Sequence, residues 1–259
     1  MGRAAIKQSR RLIFVYGYAV RLPEPVPGRW ALPFSAGCTA RSVGLAHVTI
    51  EEFRDRPESW PVETSDVVFE GKVIAVRKDV VRSPVDGTTF QRDVVVHPGA
   101  VAIVALDEDD QVLVVSQYRH PVGHRLIELP AGLRDMDGEP PLETAKRELY
   151  EEGHIRATDW RVLTDVLSTP GMCDEAVRVY LARGVTEVPD DERHNGEHEE
   201  ADMPVAWTPL ADLVQAVLGG SVQNALLCIG TLAAWAASHD GGYDALRPAD
   251  APWPAGERQ

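Results

Sequence analysis

Apolar positions along the chain follow two rhythms. From about Val67 the alternation is period-two. Val67-Val68-Phe69, Val73-Ile74-Ala75-Val76 and Val80-Val81 are interleaved with polar residues, Pro84-Val85-Asp86-Gly87 reads as a turn, and Phe90 to Val96 returns as the second arm of a hairpin. Ala100 to Leu106 is an unbroken apolar run of the kind found in a strand buried on both faces. The acidic turn Asp107 to Asp110 follows, and Val112 to Val115 pairs back toward Gln117-Tyr118-Arg119-His120-Pro121. Trp160 to Leu167, Val177 to Ala182 and Met203 to Trp207 are further predicted strands. Helical spacing appears three times. Pro140-Pro141 opens a helix carrying Leu142, Ala145 and Leu149 at i, i+3, i+7. Thr208-Pro209 caps a second that stops at Gly219-Gly220, and Asn224 to about Ser238 forms a third, mostly apolar one. The pattern predicts an α+β protein with a mixed sheet between helices, preceded by a small antiparallel β-sheet.

The first of those helices carries the densest chemistry. Glu148 and Glu152 flank its apolar stripe instead of facing away from it, where carboxylates kept for solubility belong. Two carboxylates at i and i+4 on the edge of a core helix can converge on one hard cation that takes oxygen ligands. Glu151 lies one residue away on the outer flank. Arg147 pairs with Glu151 or with Glu139 and so holds the carboxylates in position. Upstream, Arg119 at a strand end is suited to gripping a phosphate bidentately. Glu128 is placed either to accept from a ribose hydroxyl or to serve the fold.

Gly132, Glu139 and the run Arg147-Glu148-Leu149-Tyr150-Glu151-Glu152 resemble the Nudix box, the signature of hydrolases acting on a nucleoside diphosphate linked to another moiety. Six residues separate Gly132 from Glu139 where the family has five, and His154 stands where the family has the glycine that closes the helix. The resemblance implies an α/β/α sandwich. It implies magnesium, or manganese in its place, held by Glu148, Glu152, Glu151 and the Ala131 carbonyl. Pro170, fifteen residues beyond Ile155, is similar to a proline of the ADP-ribose pyrophosphatase subgroup. That subgroup implies further roles: Arg119 at the substrate phosphates or terminal ribose, Asp174 at the substrate mouth, and a glutamate of the acidic segment Pro189 to Asp202 (Glu200 first, Glu199 second) binding metal or activating water. The short sheet ahead of the box resembles the domain that, in those enzymes, crosses to a partner subunit, which implies a homodimer. The reaction implied is hydrolysis of ADP-ribose to AMP and ribose 5-phosphate. The alternatives are another nucleotide sugar, an oxidised nucleotide, or a non-catalytic ADP-ribose-sensing regulator of transcription.

Charge narrows the choice. With 26 Lys and Arg against 40 Asp and Glu, the net charge is -14, which opposes general attraction to nucleic acid. A basic helix for reading DNA is missing after Trp207, which disfavours the regulator. Residues 1–47 run against the rest, with seven basic residues and one acid. Ser9-Arg10-Arg11 and Ser35-Ala36-Gly37-Cys38 are poor matches to export signals, because Arg21 and Pro23 cut the apolar run. This stretch is expected to be a disordered or weakly ordered extension, or sequence upstream of a true start near Val48. Residues 48–98 form the expected β domain, 99–240 the hydrolase domain and 241–259 an extended or disordered Pro/Ala-rich tail. Cys38, Cys173 and Cys228 have no zinc-like or Cys-x-x-Cys spacing, so reduced thiols in cytoplasm are expected. No apolar run is long enough to span a membrane.

Overall fold

The structure is a computed structural model that describes residues 54–194 and 203–256, together with the backbone of two short strands nearer the start. The chain divides into two units, Met1–Pro57 and Glu58–Gln259. In the first, β1 (Leu12–Val15) pairs antiparallel with β2 (Tyr18–Arg21), with Leu12 in register with Arg21. The rest of that expected extension lies outside the described residues.

The second unit begins with an antiparallel three-stranded sheet of β3 (Val62–Glu70), β4 (Ala75–Arg82) and β5 (Thr89–Val96), in that spatial order. Asp86 organises the predicted turn between β4 and β5 by accepting from the Thr88 N–H and hydroxyl, and the hairpin closes in register with Val81 opposite Phe90. The strand β3 is an edge strand, and its Val67, Val68 and Phe69 side chains are exposed.

Two further sheets form the core. β6 (Ala100–Ala105) runs parallel to β11 (Ala176–Glu187) and antiparallel to β9 (Ala131–Leu133). On the far side of β11 lie β10 (Ile155–Leu167) and then β13 (Arg247–Pro248). A three-stranded companion has β7 (Gln111–Arg119) between β8 (His124–Glu128) and β12 (Val205–Pro209). All six residues of β6 are buried, and alternation sends them to opposite faces. Val101, Ile103 and Ala105 pack with Ala145 and Leu149 of α1 (Pro141–Gly153). Ala100, Ala102 and Val104 pack with Leu210 and Leu213 of α2 (Leu210–Leu218) and with Leu227 and Ala234 of α3 (Ala225–His239). Helices therefore cover both faces, giving the expected α/β/α layering around a mixed sheet.

Two expectations are corrected. Thr208 does not cap α2: it belongs to β12 opposite Val112, Pro209 holds the cap position without a side-chain bond, and the Leu210 N–H donates to the Asp110 carbonyl instead. The short strand β9, which no apolar alternation announces, exists because β6 offers it a backbone partner. The C-terminal tail is ordered through Gly256, with Trp253 only 5% exposed. Among the described residues no helix is long and apolar enough to cross a membrane.

Candidate active site

The site is assembled where β9 passes α1. The Ala131 N–H donates to Glu152 Oε2 at 2.9 Å, which ties one end of the acidic helix to the strand. Glu148 lies over the next residue. A Cβ built on Gly132 would stand 1.9 Å from Glu148 Cδ, so only glycine lets this carboxyl rest against the backbone. Both carboxylates expected to bind a cation are thus brought to one dipeptide, Ala131-Gly132.

Arg147 holds the cluster together. Its Nε and Nη2 donate to Glu139 at 3.2 Å each, and its Nη1 donates to Glu148 Oε1 at 2.6 Å and Glu151 Oε2 at 3.1 Å. The hydrogen bonds to Glu139, foremost, raise the Arg147 pKa above its ordinary value. The same contact holds the Glu139 carboxyl below the usual glutamate range, helped by the Thr144 hydroxyl, which donates to Glu139 Oε2 at 2.9 Å. Thr144 is fully buried and was not singled out from sequence, where a threonine in a first helical turn has no distinguishing signal. His154 takes the left-handed conformation, φ 53° and ψ 36°, and its N–H donates to the Leu149 and Tyr150 carbonyls. It closes the helix as the expected glycine would.

The donors around Ala131-Gly132 are all oxygens, the set a hard divalent cation takes. Among the described residues no three acidic, His or Cys side chains form a ready-made cage. Glycine beneath Glu148 and a carboxylate drawn to the strand at Glu152 make the cradle suitable for such an ion.

The other expected residues fall in three places. Arg119, read as a grip on phosphate, and Glu128, read either as a ribose acceptor or as a residue serving the fold, meet each other: Nε and Nη2 of Arg119 donate to the two Glu128 oxygens at 2.9 and 2.7 Å. The β7–β8 hairpin sets Glu128 opposite Val115, four residues back along β7 from Arg119, whose long side chain reaches it, and a carboxylate only 3% exposed requires such a partner. Pro170 and Asp174 sit in the loop between β10 and β11, beside Arg92 and Val94 of β5. Asp174 accepts from the His97 N–H at 2.9 Å, and Val95 accepts from the Asp174 N–H, so this loop is fastened to the preceding sheet. Glu199 and Glu200 lie outside the described residues.

Comparisons with known proteins agree with this geometry. Residues 96–225 match the family model described as NUDIX domain. The chain is 47% identical over 190 residues to an ADP-ribose pyrophosphatase of Mycobacterium tuberculosis, covering 73% of this chain and 89% of that protein. It is 35% identical over 158 residues to an ADP-ribose pyrophosphatase of Bacillus subtilis, covering 61% of this chain and 83% of that protein. A crystal structure of an ADP compounds hydrolase superposes with a TM-score of 0.56 at 18% identity, covering 72% of this chain and 99% of the other, and shares the fold. With its box carboxylates gathered at Ala131-Gly132 and these relatives spanning most of its length, the chain belongs to the Nudix hydrolase family.

Proposed function

We propose that this Nudix hydrolase cleaves the pyrophosphate of ADP-ribose to AMP and ribose 5-phosphate, with magnesium as the ion and manganese able to replace it. The observation that carries the reading is the convergence of Glu148 and Glu152 on Ala131-Gly132 beneath the Arg147 clamp. The substrate class rests on the two relatives named ADP-ribose pyrophosphatase.

The chemistry is attack of water on phosphorus, and its obstacle is charge, since the nucleophile must approach an anionic diphosphate. Members of the family generally require a divalent metal, which neutralises phosphate oxygens and lowers the pKa of its water. Glu148, Glu152 and the Ala131 carbonyl would hold that ion, with Glu151 completing its shell. Arg147, anchored by Glu139, keeps Glu148 and Glu151 from swinging into solvent. Glu200, or Glu199 beside it, orients the attacking water and takes its proton. Arg119 grips the substrate phosphates from a platform supplied by Glu128, whose own contact with a ribose hydroxyl is the lesser role. Pro170 and Asp174 border the mouth.

A homodimer follows from the same reading. The exposed apolar side chains of Val67, Val68 and Phe69 on an edge strand support it, because a lone edge of this kind otherwise invites aggregation. Cys173 and Cys228 are free thiols, consistent with a reducing cytoplasm. The test compares hydrolysis of ADP-ribose with and without magnesium, read as AMP release, beside ADP-glucose, read the same way, and an oxidised dGTP, read as release of its monophosphate. Preference for ADP-ribose with strict metal dependence is expected. Cleavage of either other compound in preference would reassign the substrate, and activity in excess chelator would overturn the mechanism.

A further inference from the structure

We infer that residues 247–256 are a positioning strap for the loop between β9 and α1, the loop that carries Glu139 into the site. The strap is fastened at its start by β13, whose Arg247 is in register with Val162 of β10 and donates to Asp165 Oδ2 at 2.8 Å. Its middle is held by Arg178 of β11, which is 2% exposed. Arg178 donates to both Asp165 oxygens, at 2.7 and 3.1 Å, and to the strap carbonyls of Ala251 and Pro252, at 2.7 and 3.2 Å. These bonds bring Trp253 over the guanidinium, 4.9 Å from carbon to ring centre.

The same indole also meets the loop that leads to the site. Arg134, one residue beyond β9, lies 5.0 Å from the Trp253 ring centre and donates from Nη1 to the Gly256 carbonyl at 2.8 Å. Its own N–H donates to the Gly99 carbonyl. Arg134 is therefore gripped at the backbone by the approach to β6 and at the side chain by the strap. Gly256 makes the wrap sterically possible, since a Cβ there would stand 2.3 Å from the indole. The strap and the loop enclose a cavity of about 890 Å³, with Arg134, Met136 and Glu139 on one wall and Trp253 and Gly256 on the other. The loop thus has two anchors: Arg147 holds its end at Glu139, and the strap holds its start at Arg134, two residues past the glycine under Glu148.

The contact uses the indole ring and not its N–H, which is buried without a hydrogen-bond partner. Phenylalanine at this position should then preserve the strap and alanine should release it.

The experiment measures hydrogen exchange of the amides of residues 135–139, and Mn2+ binding by calorimetry, in the full chain and in Trp253→Ala, Trp253→Phe and Gly256→Ala. Neither readout depends on which diphosphate is the substrate, so they stand even if ADP-ribose proves wrong. In Trp253→Ala the loop amides should exchange at least about tenfold faster while those of β6 stay protected. Mn2+ affinity should weaken by about tenfold. Trp253→Phe should resemble the wild type. In the hydrolysis assay the alanine variant should lose kcat with KM nearly unchanged. Faster exchange confined to residues 247–256, or a uniform loss of protection including β6, would overturn the inference. Should Trp253→Ala not fold, Gly256→Ala, which displaces the strap while keeping the ring, is held to the same outcomes.

Discussion

Two arginines in this molecule each draw several acceptors together, and their difference separates a site from a scaffold. Arg147 has a side chain 27% exposed and holds three glutamates, Glu139, Glu148 and Glu151. Arg178 has a side chain 3% exposed and holds one aspartate and two carbonyls. Three carboxylates around one cation leave negative charge over, which a divalent ion can use and through which that ion can hold a phosphate. A carboxylate and two carbonyls around a buried guanidinium satisfy its donors, and removing that guanidinium would leave them unpaired. The two clusters are linked through Trp253, Arg134 and the loop to Glu139.

The sharpest test of the exposed cluster is Glu152→Gln. It removes charge without volume, and kcat should fall by about 10³-fold or more with the fold intact by circular dichroism. The buried cluster should answer in stability. Arg178→Leu leaves the Ala251 and Pro252 carbonyls without their donor and Asp165 with Arg247 alone, and roughly 3 kcal/mol of unfolding free energy should be lost in urea titration. Gly132→Ala should uncouple the two behaviours. Its Cβ displaces Glu148 from the strand, so metal affinity and kcat should fall by roughly 10- to 100-fold while the urea midpoint moves little.

Acid should weaken both clusters. The Arg147 hydrogen bonds hold Glu139 below its ordinary range. Burial pushes Asp165 up, but its bonds from Arg178 and Arg247 outweigh that and leave it lowered as well. A carboxyl depressed in the folded state contributes stability that is complete above its unfolded value and disappears as pH falls through the folded one. Melting temperature should therefore decline below the ordinary carboxylate range, and Glu139→Gln should flatten part of that decline; an unchanged slope would remove Glu139 from the account. The smallest effect belongs to His154→Gly. Relieving the left-handed histidine should raise stability by up to about 1 kcal/mol without altering turnover.

The exposed cluster was readable in advance and the buried one was not, for a geometric reason. Glu148, Glu151 and Glu152 stand on one helix with Arg147, so their mutual placement follows from the helical repeat, and Glu139 enters by a short loop. Arg178 reaches carbonyls 73 and 74 residues away, and no local rule relates those positions. Composition even pointed the wrong way there, since a Pro- and Ala-rich end reads as loose until Trp253 finds its two guanidiniums. Arg119 and Glu128 show an intermediate case. Each was noticed singly as a polar group near the site, yet their pairing depends on how the β7–β8 hairpin folds back.

What the linear pattern settles is therefore local: the three helices, the long strands and the acidic edge of α1, all of them consequences of repeat and spacing. Everything that requires two distant segments to meet was decided by folding. The strand at Ala131–Leu133 exists because β6 pairs with it, Gly132 matters because Glu148 lies on it, and the C-terminal strap is ordered because a buried arginine needs its carbonyls. Contacts of that kind carry energy only after the chain has closed on itself, so their residues look ordinary beforehand.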